Sequence, residues 1–118
     1  MEEHVKYPGN LEQRFGKPSA QWERMVAGKL YLADDLYMHK VRETTLQIQQ
    51  LYNSLPVNRR EEAKRLAPEL FGHHPHSATV VQPVYVDYGV NIFLSEGTFI
   101  NSGAILFDVA PIHIGKKC

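Results

Sequence analysis

Aliphatic residues stand six positions apart at Leu94, Ile100 and Leu106, and a small residue follows each of them four positions later, at Thr98, Ala104 and Ala110. This period excludes most folds. An amphipathic helix repeats its apolar face about every 3.6 residues and a half-buried strand every two. A six-residue unit instead supplies one short flat strand and a turn; three such units close a triangular coil, with the aliphatic side chain pointing inward onto its equivalent in the next coil. The small residue fits the bend. Upstream, Val80 and Val86 are also six apart, with Val84 and Val90 four positions after them. The two frames are offset by an insertion of two residues, which we read at Ile92-Phe93, and Ile114-Gly115 opens a further hexad with the same shift. The Asn-Gly type of turn that joins antiparallel hairpins is missing between residues 78 and 118.

Ahead of these repeats the periodicity is helical. Ser19 is placed to start a short helix carrying Trp22, Met25 and Val26, closed by Gly28. Asp34 or Asp35 starts a second, along which Tyr37, Val41, Thr45, Ile48, Tyr52 and Leu55 recur at steps of three and four until Pro56. Asn58 and Glu61 resemble a capping box for a third helix with Ala63, Leu66, Ala67, Leu70 and Phe71 on its apolar face, which Pro68 should disturb. Residues 1–18 show neither period and read as a flexible extension, 19–72 as a helical region, and 78–118 as the start of the β-helix. At 118 residues, one core is the expectation.

Charge excludes some partners. Thirteen basic and thirteen acidic residues cancel, which leaves no basic footprint for nucleic acid. Neither a secretory signal nor a run of eighteen apolar residues is visible, so no membrane partner and a cytoplasmic location are expected. Cys118 is the sole cysteine, so no internal disulfide can form.

Met25-Val26-Ala27-Gly28-Lys29-Leu30-Tyr31, Asp87-Tyr88-Gly89-Val90-Asn91-Ile92-Phe93-Leu94, Phe99-Ile100-Asn101 and the run Leu106 to Gly115 together resemble the maltose, galactoside and nodulation-sugar O-acetyltransferases, over about residues 19–118. The resemblance implies a left-handed parallel β-helix behind a helical N-terminal region, of which about two coils are present here and the last is incomplete. It also implies a homotrimer, acetyl-CoA as acetyl donor and a sugar hydroxyl as acceptor, bound between subunits. In such enzymes a histidine on a later coil is the general base, and it must reach the acceptor hydroxyl by a hydrogen bond. The Thr/Gly-His-Pro segment that carries it in the family has no match in this sequence, where His74-Pro75 follows another histidine ahead of the repeats, so no catalytic residue is assigned and the chain alone is expected to be inactive.

The resemblance also places acceptor contacts. Asn101 matches an asparagine that bonds the sugar near the reacting hydroxyl, and Asp108 a carboxylate near the acceptor. An amide or carboxylate satisfying a turn is the plain alternative for each. Asp87, where the galactoside branch has serine, and Tyr88 match polar and aromatic sugar contacts. Asp34 or Asp35 falls near another, and helix capping is expected of one of the two. Phe99 stands where some relatives carry tyrosine and reads as apolar packing around the acceptor. His73, His74 and His76 have no spacing of a zinc site, and no metal is assigned. His113 reads as an outward strand residue, and Cys118 as a core or turn residue with no base beside it. Two other functions compete with a portion of an acetyltransferase: a non-catalytic interaction module that joins full-length subunits, and a carbohydrate-binding module.

Overall fold

The computed structural model describes residues 11–118. Four helices, α1 (Leu11–Phe15), α2 (Ala20–Val26), α3 (Leu36–Ser54) and α4 (Arg60–Leu70), precede six strands: β1 (Thr79–Val80), β2 (Val84–Val86), β3 (Ile92–Leu94), β4 (Phe99–Ile100), β5 (Ala104–Leu106) and β6 (Ile112–Ile114). The first ten residues of the expected extension lie outside the described residues. Within the remainder, Leu11–Phe15 is helical with Leu11 and Phe15 buried.

Local chemistry explains the helix ends. The Ser19 hydroxyl accepts from Trp22 N–H at 3.1 Å and starts α2. Gly28, at φ 77°, ends it, with the Lys29 N–H returning to Arg24 and the Gly28 N–H to Met25, the double bond of a left-handed C-terminal closure. Asp35 starts α3 by accepting from Met38 N–H at 3.1 Å. The capping box read at Asn58 and Glu61 does not form: Arg59 stands at the start of α4 with no side-chain cap, and its guanidinium pairs with Glu62 at 2.7 Å instead. Pro68 lies inside α4, which ends two residues later at Leu70. The carbonyls of Pro68 and Glu69 accept from the Arg14 guanidinium, which ties α1 to this end.

The strands pair in parallel, and each meets the strand three places later: β1 with β4, β2 with β5, β3 with β6. The chain advances by twenty residues between partners, from Thr79 to Phe99, Val84 to Ala104 and Ile92 to Ile112. Three hexads account for eighteen of these. The other two lie in the five-residue turns 87–91 and 107–111, longer than the other turns, and not at Ile92-Phe93, which is regular strand. A shift between two frames shows that residues were added but not where; the turn can absorb them without breaking a ladder.

Leu94 points inward with Val80, Val84, Val86 and Ile92, and Ile100 and Leu106 stack against them. Tyr52, Ala63, Ala67, Leu70 and Phe71 of the helical region complete the same core. Helix α3 also meets the strand edge directly. Asn53 accepts from Val84 N–H at 3.0 Å and donates to its carbonyl at 2.9 Å, Gln49 accepts from Val86 N–H at 2.8 Å, and the Tyr52 hydroxyl donates to Val80 at 2.6 Å. The amide side chains do here what a neighbouring strand would do for an exposed edge. Backbone at His73 serves β3 likewise, donating to Ile92 at 3.2 Å and accepting from Leu94 at 3.0 Å.

Candidate functional site

The turn 87–91 is built around one buried carboxylate. Asp108, fully buried, accepts from Asp87 N–H at 3.1 Å and Tyr88 N–H at 2.9 Å on one oxygen, and from Asn91 N–H at 3.0 Å on the other. The Asn91 amide donates back to the Asp108 carbonyl at 2.9 Å. Burial pushes the Asp108 carboxyl above its ordinary range, and the N–H donors pull the other way. Gly89 in this turn has φ 74°, and a β-carbon there would collide with the Leu70 carbonyl, so only glycine lets the turn sit against α4.

On the outer side of the turn, α3 supplies a residue that the sequence reading missed. The Arg42 guanidinium lies 3.8 Å from the Asp87 carboxylate, donates to the Tyr88 hydroxyl at 3.2 Å and stacks over its ring at 5.1 Å. Burial raises the Tyr88 phenol, while Arg42 favours its ionised form. The Tyr88 ring packs edge-on against Trp22 at 4.9 Å, and Trp22 against Tyr37 at 5.5 Å. Thr45 holds the turn from α3, donating to the Tyr88 carbonyl at 2.6 Å. The result is an arginine and a carboxylate, both partly exposed, held over the buried rings of Tyr88 and Trp22: donors and an acceptor suited to a polyhydroxylated ligand. Arg42 left no sequence signal because its partners are 45 and 46 positions away.

The other expected contacts are dispersed. Asp35 is the α3 cap and also accepts from the Ser19 hydroxyl at 2.8 Å, whereas Asp34 is fully exposed and pairs with His39 at 3.3 Å. Phe99 is outward and exposed on β4. Asn101 is exposed in the next turn, its side-chain oxygen accepting from Ser102 N–H at 2.8 Å. Asp87, Tyr88 and Asp108 are thus brought together, and no hydrogen bond among the described residues joins Phe99 or Asn101 to them.

The histidines have separate surroundings. His73 meets the Leu94 carbonyl at 2.9 Å, His74 is buried against Phe71, His76 faces Glu61 at 3.7 Å, and His113 is outward on β6, stacked on Phe93 at 4.8 Å. Cys118 is exposed in the final turn, where its carbonyl accepts from Phe99 N–H at 2.9 Å. No helix among the described residues is long and apolar enough to cross a membrane.

Residues 24–75 match the maltose acetyltransferase hexapeptide capping motif. A Dictyostelium discoideum protein named as an acetyltransferase is 35% identical over 95 residues, covering 80% of this chain and 49% of its own length. Nodulation protein L of Rhizobium leguminosarum bv. viciae is 30% identical over 96 residues, covering 81% of this chain and 50% of its own. Among solved structures, a maltose O-acetyltransferase from Clostridium difficile 630 is similar with a TM-score of 0.79 and 33% identity, over 83% of this chain and 52% of that one. A galactoside acetyltransferase in complex with coenzyme A has a TM-score of 0.75 and 26% identity, over 83% and 49%. The chain spans about half the length of the relatives it matches. The resemblance read from the sequence, to the N-terminal portion of hexapeptide-repeat sugar acetyltransferases, is borne out.

Proposed function

We propose that this chain, carrying the maltose acetyltransferase capping motif, forms the acceptor-binding portion of an acetyl-CoA-dependent sugar O-acetyltransferase. The observation that carries the reading is the Arg42–Asp87–Tyr88 group, in a chain 33% identical and similar throughout most of its length to a maltose O-acetyltransferase. In this reading the strand pairs are coils of a left-handed β-helix, a homotrimer completes the cleft, and acetyl-CoA is the donor. Asp87 and Arg42 hold sugar hydroxyls beside the Tyr88 ring. Asn101 bonds the sugar near the reacting hydroxyl, and Phe99 offers an apolar face. Asp34, exposed and paired with His39, is a further polar contact to the acceptor. Asp35 and Asp108 act from behind, by fixing the start of α3 and the turn 87–91.

Transfer requires a base to take the hydroxyl proton as the oxygen attacks the thioester carbonyl and the coenzyme thiolate leaves. None of the described histidines is given that role, and the 118 residues alone are proposed to be inactive. The exposed side chains of Tyr85, Ile105, Phe107 and Val109 favour a second reading, a non-catalytic module that joins full-length subunits. Incubation with acetyl-CoA and a panel of maltose, glucose and galactosides, following free thiol, is expected to give no turnover; turnover abolished by His113→Ala would overturn that part. Adding the remaining coils of the Clostridium difficile enzyme should give an active chimera that Asn101→Ala and Arg42→Ala both impair. An active chimera indifferent to both would refute the acceptor site, and one that binds full-length subunits without activity would favour the second reading.

A further inference from the structure

His74 lies where the helical region joins the strands, and nothing in the acceptor site uses it. Its side chain is 7% exposed, and its ring stacks on the fully buried Phe71 with centroids 5.8 Å apart and planes 25° from parallel. Neither ring nitrogen has a hydrogen-bond partner. The charged groups that face it repel a proton: Lys64 of α4 and the neighbouring His73, whose own ring is engaged with the Leu94 carbonyl. The carboxylate of Glu61 is at the surface, facing His76. The same short segment lies along the edge of β3, through Gly72 and His73 N–H to Ile92 and Leu94 N–H to His73.

We propose that His74 is an acid-released latch: its neutral ring closes the junction between α4 and β1, and proton uptake drives it out and uncovers the edge of β3. A cation in this slot would have no carboxylate among the charges acting on it, and a buried charge without a counterion is costly enough that the group stays neutral or leaves. Burial accordingly holds the ring below its ordinary value of 6.5; the carbonyls of His74 and Pro75 offset part of this, and Lys64 and His73 add to it. The sign follows. Below pH 6.5 the unfolded chain binds a proton that the folded chain refuses, so the latch's contribution, present above 6.5, is lost as pH falls towards the folded value, by up to about tenfold in the folding constant per pH unit.

The test combines ring NMR titration of the 118-residue chain with urea unfolding between pH 7.5 and 5, for the unmutated chain and His74→Phe. The His74 ring should titrate below 6.5, Leu94 N–H exchange should accelerate on acidification before global unfolding, and His74→Phe should flatten the pH dependence by about tenfold in folding constant at the acid end. Titration of His74 at or above 6.5 in the folded chain, or equal pH slopes for the two proteins, would overturn the proposal. If His74→Phe does not fold, the titration and the Leu94 exchange decide it on the unmutated chain.

Discussion

At Asp108 two opposing effects meet: burial disfavours the charge, and three backbone N–H groups require an acceptor. Removing the acceptor leaves those donors buried and unpaired, at roughly 1–3 kcal/mol each before relaxation. Asp108→Ala is therefore expected to lower stability by about 3–5 kcal/mol, as measured by urea unfolding at pH 7. The raised carboxyl pKa also has a sign. The folded chain holds the proton more tightly than the unfolded one, so stability falls as pH rises from about 4 through the folded value. Asp108→Asn should lose that component of the slope, which parallel unfolding curves between pH 3.5 and 7 would reveal. Arg42 belongs to the surface instead. Loss of a charged donor to a sugar hydroxyl should raise KM of the completed chimera about tenfold with Arg42→Ala, while the unfolding midpoint changes little because the guanidinium is half exposed. A large loss of stability with unchanged KM would show that Arg42 braces the turn rather than binding the acceptor.

Helix α3 is more than a packing surface, because Gln49, Tyr52 and Asn53 satisfy backbone groups of β1 and β2. Asn53→Leu keeps similar volume but orphans one N–H and one carbonyl of Val84, so it should cost about 2–4 kcal/mol. Gln50, one position from Gln49 but exposed, is the control: Gln50→Leu should stay within roughly 0.5 kcal/mol. Equal effects of the two substitutions in chemical denaturation would mean that these amide bonds contribute nothing to the junction. Helical periodicity reveals which residues of α3 are apolar; it does not reveal that two amides on the partly buried flank replace a strand.

Across the whole molecule, the strand pairs turn one apolar set inward and leave another outside. Tyr85, Ile105, Phe107 and Val109 are all exposed, with Tyr85 and Ile105 side by side across β2 and β5, and exposed apolar side chains of this kind favour association. The chain should self-associate at micromolar concentration in sedimentation velocity, and Ile105→Lys with Phe107→Glu should shift it towards monomer. A compact monomer of the unmutated chain would count against both the trimer and the interaction-module readings.

The six-residue period, the helix starts at Ser19 and at Asp34 or Asp35, the Gly28 ending and the family resemblance were all legible in the sequence, because each depends on residues close along the chain or on a repeat that any window displays; the choice of Asp35 came from the structure. The location of the two added residues, the uncapped start of α4, the inward turn of Asp108 and the membership of Arg42 were decided by tertiary structure. Each depends on a partner that folding brings near: the turn that can absorb an insertion, Glu62 competing for Arg59, the N–H groups of 87, 88 and 91, and a tyrosine 46 positions away. Local sequence specifies backbone periodicity and caps, while burial and long-range hydrogen bonds assign each polar side chain to a ligand-facing or a structural task.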